Sequence, residues 1–291
     1  MFVLPLPHPG NSKLQLYEMF SGFMKYLPGP QRDAFKHLSG LEEFIARKVK
    51  ENQETLDLAC PRDFIDCFLI KMHQERENPH TEFFLKNLVM TTLNIFFGGT
   101  ETVSTTLRYG ILLMLKFPEI QDKVYREIDR AIGRNRGPNM DDCSQLPYTE
   151  AVIYEIQRFG DMLPRGLARR VNSDTQFRGY TIPKGTEVFP LLGSALRDPN
   201  YFANPDAFDP QHFLDENGKF KKNDAFIPFS AGKRYCFGER LVRMELSLFF
   251  TSMIQNFHIK SPIPPEEIDI SPMLVGFATI PRVYDICMIP R

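Results

Sequence analysis

Tryptophan is missing from the chain altogether, and other absences narrow it further. No stretch of about 18 uncharged apolar residues occurs, so no segment reads as a bilayer-spanning helix. Neither sign of charge dominates. The 35 Lys and Arg against 36 Asp and Glu leave a formal net charge of −1, which removes any global electrostatic reason to expect nucleic-acid binding. Cysteine is sparse: Cys60, Cys67, Cys143, Cys236 and Cys287 are odd in number, far apart and form no Cys-x-x-Cys pair. That argues against a disulfide framework or a structural zinc and for a reducing compartment. Internal repeats, low-complexity tracts and Ser/Gly linkers are also lacking. The opening Met1 to Gly10 is broken by proline from its fifth residue and has no basic leader, so it reads as neither signal peptide nor anchor.

Apolar residues make up 43% of the chain, enough to bury a sizeable core. Up to about residue 165 they recur at three and four, as in Leu41 to Glu51 and Ile120 to Ile132, which predicts helices. Between Leu167 and Val188 the spacing changes. Val171, Phe177, Tyr180, Ile182 and Val188 are interleaved with polar residues, and Pro183-Lys-Gly185 supplies a turn, so a small sheet is expected. Asp198 to Pro228 is crowded with Pro, Asn, Asp and aromatics, the texture of an ordered, packed coil. A helix from about Gly238 to Phe257 follows, then a proline-punctuated, β-branched tail. The expected class is mainly α with a minor β part.

Three constellations carry chemistry. The run Phe229-Ser-Ala-Gly232-Lys-Arg234-Tyr-Cys236-Phe-Gly238 stands just before that late helix. A cysteine at a helix N-terminus meets unpaired N–H groups and the positive end of the dipole, which favour thiolate. The glycines permit tight turns beside a flat macrocycle, Phe229 can shield the sulfur, and Arg234 can pair with a carboxylate. On Cys236 alone, a buried loop cysteine is an equal reading. Next, Gly98-Gly99-Thr100-Glu101-Thr102 lies in a helix expected over about Phe83 to Lys116. Two glycines at a helix centre cost about 1 kcal/mol each relative to Ala, so they need a reason. One reason is a groove for a small molecule such as dioxygen, with Glu101 and Thr102 as an acid and an alcohol for relaying protons; the other is a helix–helix crossing. Third, Glu155 and Arg158 share a helix face, usually a surface pair, but Asn204 to Phe213 can bring His212 to complete a buried network.

In this order, Gly98 to Thr102, Glu155 to Arg158, Pro210 to Phe213 and Phe229 to Gly238 resemble the signature of the cytochrome P450 monooxygenases. The text around them, including Glu101 to Gly110 and Phe226 to Ser230, is similar to the vertebrate family-2, microsomal, drug- and steroid-metabolising branch, over nearly all of the chain from about Leu14. The resemblance implies a single partial P450 domain, helical over about 14–165 and carrying sheet, meander, haem-binding loop and last helix over 166–291.

It further implies that Cys236 is the axial ligand of the iron of haem b, its thiolate pushing electron density that favours O–O cleavage. Thr102 and Glu101 would deliver protons. Arg234 and Arg169 would hold the propionates, Phe229 and Gly238 would flank the cofactor, and Glu155, Arg158 and His212 would brace the proximal side. Asn94, Phe97, Gly98, Leu163, Gly166, Leu167 and Phe277 would line an apolar substrate pocket.

The implied reaction inserts one oxygen atom from O2 into small hydrophobic xenobiotics, steroids or fatty acids. Electrons would come from NADPH through a flavoprotein reductase, with cytochrome b5 as a second donor, at the cytoplasmic face of the endoplasmic reticulum. Lys221, Lys222, Lys233, Arg240 and Arg243 gather near the Cys236 loop and can form a basic docking face for an acidic partner, with an ordinary solvated face an equal reading.

Three features depart from the family pattern. His212 stands where an arginine is usual, which makes the network titratable. Arg165 puts a charge near the expected pocket lining. The family's anchor and early helices, with the tryptophan and arginine that hold a propionate, have no counterpart in these residues, so haem binding by this length is expected to be weak; only Leu14 to Leu27 hints at membrane attachment. Two other readings stay open: a haem-thiolate isomerase or synthase needing no reductase, against which Glu101-Thr102 argues, and an inactive fragment.

Overall fold

The structure is a computed structural model that describes residues 30–274 and 278–291. The described residues divide into two compact units, with the boundary between Thr100 and Glu101. The boundary falls inside a long helix and not near 165, where the sequence texture changes.

In the first unit, α1 (Pro30–Glu54), α2 (Phe64–Gln74) and the beginning of α3 (Leu85–Lys116) bury Ile45, Val49, Phe68, Leu69, Leu88, Val89 and Leu93 against one another. Helix α2 starts where Asp63 accepts the Asp66 N–H, satisfying one of the orphan donors of a first turn. Asp66 is fully buried, bonded by Arg62 at 2.6 Å and Asn52 at 2.8 Å, so it pins α2 to the end of α1. Those donors hold its carboxyl well below the usual carboxylate range.

The second unit is built on the remainder of α3, with α4 (Pro118–Ala131), α5 (Pro147–Gly160) and α7 (Glu239–Asn256) around it. Leu112, Leu113, Met114, Val124, Ile128, Val152, Ile156, Leu246, Phe250 and Ile254 form its core. Proline at the first position starts α4 and α5, where its missing N–H costs nothing. The exposed donors of α5 are met by buried Glu127 of α4, which accepts from the Tyr148 N–H at 2.9 Å and the Thr149 N–H at 2.7 Å. Helices α3 and α5 close tightly at glycine: a Cβ on Gly110 would stand 3.0 Å from Ile156 Cδ1.

The β part is minor and antiparallel. Strands β1 (Arg169–Arg170) and β4 (Glu187–Val188) pair around the hairpin of β2 (Thr175–Phe177) and β3 (Tyr180–Ile182). Short helix α6 (Leu192–Leu196) follows. Near the C-terminus β5 (Phe257–Lys260) pairs β8 (Cys287–Pro290), and β6 (Pro272–Leu274) pairs β7 (Ile280–Pro281). The expected packed coil is present between α6 and α7. Phe202, Phe213 and Ala225 are buried there with Tyr154 of α5, and a single turn of 3-10 helix, Pro210–Phe213, punctuates it. No described helix is long and apolar enough to cross a membrane. The stretch Leu14 to Leu27 lies outside the described residues.

Candidate functional site

Helix α5 carries Glu155 and Arg158 one turn apart, both side chains fully buried. The guanidinium grips the carboxylate twice, Nε to Oε2 and Nη2 to Oε1, each at 2.7 Å. Its remaining N–H groups donate to the carbonyls of Leu196 (3.1 Å), Pro205 (2.7 Å) and Ala207 (2.8 Å). The Asp209 N–H donates to Glu155 Oε1 at 2.9 Å, and His212 Nδ1 lies 3.2 Å from both carboxylate oxygens. His212 Nε2 reaches the Ala203 carbonyl, and the guanidinium stacks 5.1 Å from the Phe202 ring centre. A buried charge survives only when every donor and acceptor finds a partner, and here each does. Thus one arginine fastens α5, α6 and the coil together.

Burial alone would lower the pKa of His212. Its bonds to Glu155 and the Ala203 carbonyl outweigh that and raise it above the ordinary imidazole value. Both acceptors can only accept, so the ring is favoured as imidazolium, donating from both nitrogens.

The loop before α7 turns sharply. Ser230 and Gly232 have φ of 65° and 71°, the left-handed region that a side chain rarely occupies. Three backbone bonds set the path: Ser230 N–H to Ile227 O (2.9 Å), Tyr235 N–H to Gly232 O (3.1 Å) and Cys236 N–H to Phe229 O (2.9 Å). Gly238 precedes the first residue of α7, and a Cβ there would stand 3.8 Å from Cys236 Sγ, so the sulfur lies against the first turn of that helix. Cys236 is exposed, between Tyr235 and Phe237, which expose 57% and 80% of their surface. Strand β1 meets the loop where Arg169 Nη2 donates to the Arg234 carbonyl at 2.9 Å. Among the described residues no carboxylate pairs with Arg169 or Arg234. An accessible thiol, aromatic neighbours and two cations without acidic partners make a donor set that fits a haem with its iron on sulfur and its propionates on guanidinium.

The expected basic face is only partly formed. Lys221, Lys222, Lys233 and Arg240 are exposed, but Arg243 is drawn inward over aromatic rings and paired with Glu239 at 2.7 Å. Stacked on those rings and paired with Glu239, it is not a free docking cation.

The glycine pair lies within the continuous helix α3. A Cβ on Gly98 or Gly99 would meet nothing within 4 Å, whereas Gly110, about three turns on, is the glycine pressed against a helix. Past the pair, Ser104 Oγ donates to the Glu101 carbonyl (3.2 Å) and Thr106 Oγ1 to the Thr102 carbonyl (2.9 Å), the back-bonding that bends helices. Glu101 is exposed and Thr102 half-buried. Asn94, exposed, and Phe97, half-buried, belong with Gly98 to the first unit. In the second, Leu163 and Leu167 are half-buried on either side of buried Gly166, whose φ of 55° and N–H bond to the Leu163 carbonyl (2.8 Å) make a tight turn. Arg165 projects from that turn and is exposed. Phe277 lies outside the described residues.

One feature beside this turn was not visible in the sequence. Asp161 caps α5 in the left-handed conformation, φ 39°, and is 6% exposed. Its Oδ2 lies where a Cβ on Gly193 would be, 2.4 Å away, so only glycine fits at the start of α6. Burial pushes the Asp161 carboxyl up to about 6, against the pull of Arg197 and Arg158. The dipeptide Gly160-Asp161 is an ordinary helix-end signal, and nothing in it foretells a buried carboxyl.

The sequence profile of the cytochrome P450 family matches residues 10–288, almost the whole chain. The chain belongs to the cytochrome P450 family. It is similar to human cytochrome P450 2A13, 68% identical over 277 residues that cover 95% of this chain and 56% of that protein. Mouse cytochrome P450 2A5 is 66% identical over the same coverage, and mouse cytochrome P450 2A4 is 62% identical over 291 residues, all of this chain and 59% of the relative. The chain therefore spans 56–59% of the length of these curated P450 relatives. Both the resemblance to the family-2 branch and the mainly α class with a minor β part are borne out.

Proposed function

We propose that this chain supplies the haem-thiolate side of a monooxygenase that inserts one oxygen atom from O2 into small hydrophobic substrates. The supporting observation is the Cys236 loop: an accessible thiol set against the first turn of α7, with Arg169 and Arg234 adjoining it through a 2.9 Å bond. Cys236 is the residue that would hold the haem iron, and the group would supply the oxygen activation when bound.

Arg169 and Arg234 would pair with the haem propionates. The Glu155–Arg158–His212 network, sealed from water, holds the coil that leads into the loop at a fixed distance from α5. Glu101 and Thr102 present an exposed carboxyl and a half-buried hydroxyl in successive positions of α3, an arrangement suited to passing protons from solvent inward. Missing side chains at Gly98 and Gly99 leave room against the same helix for a small molecule. Half-buried Leu163 and Leu167 on either side of Gly166 would offer a mostly apolar stretch of pocket lining, which favours xenobiotic, steroid or fatty-acid substrates over charged ones.

Electrons come from NADPH through an acidic flavoprotein reductase that meets Lys221, Lys222, Lys233 and Arg240, with cytochrome b5 as a second donor. The setting is the cytoplasmic face of the endoplasmic reticulum. The Glu101–Thr102 pair disfavours an isomerase or synthase, which would have no use for a proton relay. Replacing Thr102 by Ala tests the oxygenase reading: NADPH consumption should continue while product falls and peroxide rises. Unchanged coupling would overturn the relay.

A further inference from the structure

Arg243 occupies a cage of rings. Its guanidinium carbon lies 4.5 Å from the ring centre of Tyr154, 5.2 Å from Phe229 and 5.8 Å from Phe226. Nε and Nη2 both donate to Glu239 Oε1, at 3.0 and 2.7 Å. Nη1 is buried with no hydrogen-bond partner. A buried donor left unpaired is costly, and the surrounding ring faces attract the cation and offset part of that cost.

Two of these partners have a second role. Phe229 offers its carbonyl to the Cys236 N–H at 2.9 Å, and Glu239, the first residue of α7, donates its own N–H to the Cys236 carbonyl at 3.3 Å. Arg243 therefore holds the residue that receives the Cys236 N–H and the residue that takes up the Cys236 carbonyl. The third contact, Tyr154, lies on α5 one residue before Glu155, so the same guanidinium ties the loop to the helix of the buried network.

We infer that Arg243 is a positioning residue for Cys236: by stacking between Phe229 and Tyr154 while gripping Glu239, it fixes both ends of the loop and so the direction in which the sulfur is presented. The inference deepens the proposed role of Cys236 and rests on it. It requires a planar cation with several donors, which lysine does not provide.

The test is hydrogen exchange of the peptide containing Phe229 to Glu239, in the chain without haem, for R243K and R243M. A peptide from α4 serves as control. Both variants should speed exchange in the loop about tenfold while α4 stays at its wild-type rate. Unchanged loop exchange, an equal rise in α4, or full rescue by lysine would each overturn the inference. A second readout uses the haem-loaded protein: with haem content retained, both variants should move the reduced carbon-monoxide Soret band from the thiolate type towards the thiol type, and a band that stays wholly of the thiolate type counts against it. Should the wild type itself show no thiolate-type band, the haem reading fails, while the exchange measurement still decides the role of Arg243.

Discussion

The α5 network and the Cys236 loop use similar side chains and end in opposite states. Around Glu155 every charge is buried and answered: Arg158 bonds one carboxylate and three carbonyls, and His212 bridges carboxylate and carbonyl. Around Cys236 the thiol, Tyr235 and Phe237 are exposed, and Arg169 and Arg234 have no acidic partner among the described residues. The first region is finished by the chain itself. Only the backbone of the second is finished, through its positive-φ turn and the ring cage of Arg243, while its chemistry is turned outward. A protein keeps unpaired cations beside an accessible thiol at little cost on a surface, and that is where they can be used on a ligand.

Arginine substitutions give the sharpest break between the two. Arg158→Ala leaves buried Glu155 with His212 as its remaining partner and three carbonyls without their donor, and should destabilise the second unit by about 3–5 kcal/mol, read by denaturant melts. Arg234→Ala should alter stability by less than about 0.5 kcal/mol while weakening haem retention. Equal losses at the two sites would erase the distinction.

A smaller but still clear effect is expected at Gly193→Ala. The added methyl meets Asp161 Oδ2 and should cost about 1–3 kcal/mol by the same melts, whereas Gly193→Ala combined with Asp161→Gly should recover most of it.

pH dependence separates two buried titrating groups. The raised pKa of His212 means that its pairing with Glu155 contributes fully below the ordinary imidazole value and is lost as pH rises through the folded one. His212→Gln should flatten the fall in stability above neutral pH. Asp161 acts in a lower window: its carboxyl, raised to about 6, makes the fold lose stability as pH climbs from the ordinary carboxylate range to about 6. Asp161→Asn should remove that decline and leave the profile above neutral pH unchanged, as thermal melts across pH would show.

The smallest expected change has the opposite sign. Ala at Gly98 or Gly99 meets open space, so each should stabilise α3 by about 1 kcal/mol. If the glycines are kept for a ligand, the stabilised variants should also turn over less product; a variant that gains stability with full turnover would remove the functional reason for them.

Much of this arrangement is legible in the residues, because each motif combines a rare residue with a fixed spacing. The long helix is expected over about Phe83 to Lys116 and found over Leu85–Lys116, since 32 residues of helical period outweigh two glycines. The Glu155–Arg158 spacing alone reads as a surface pair, and only the nearby coil carrying His212 together with the family resemblance points to a buried network. Arg243 was misplaced on a surface because an i, i+4 pair with Glu239 looks the same whether or not rings lie above it; only the fold brings Tyr154, Phe226 and Phe229 there. Asp161 was invisible for a similar reason, since its burial depends on Gly193, 32 residues away. Residues whose role is set by long-range packing leave no local trace.

The central claim, that Cys236 is the haem thiolate, is tested most directly by the reduced carbon-monoxide difference spectrum of the haem-reconstituted chain beside its Cys236→Ser variant. The account predicts a thiolate-type Soret band in the wild type and its complete loss in the variant. Identical spectra from the two proteins, or a haem-loaded wild type with no thiolate-type band, would contradict it.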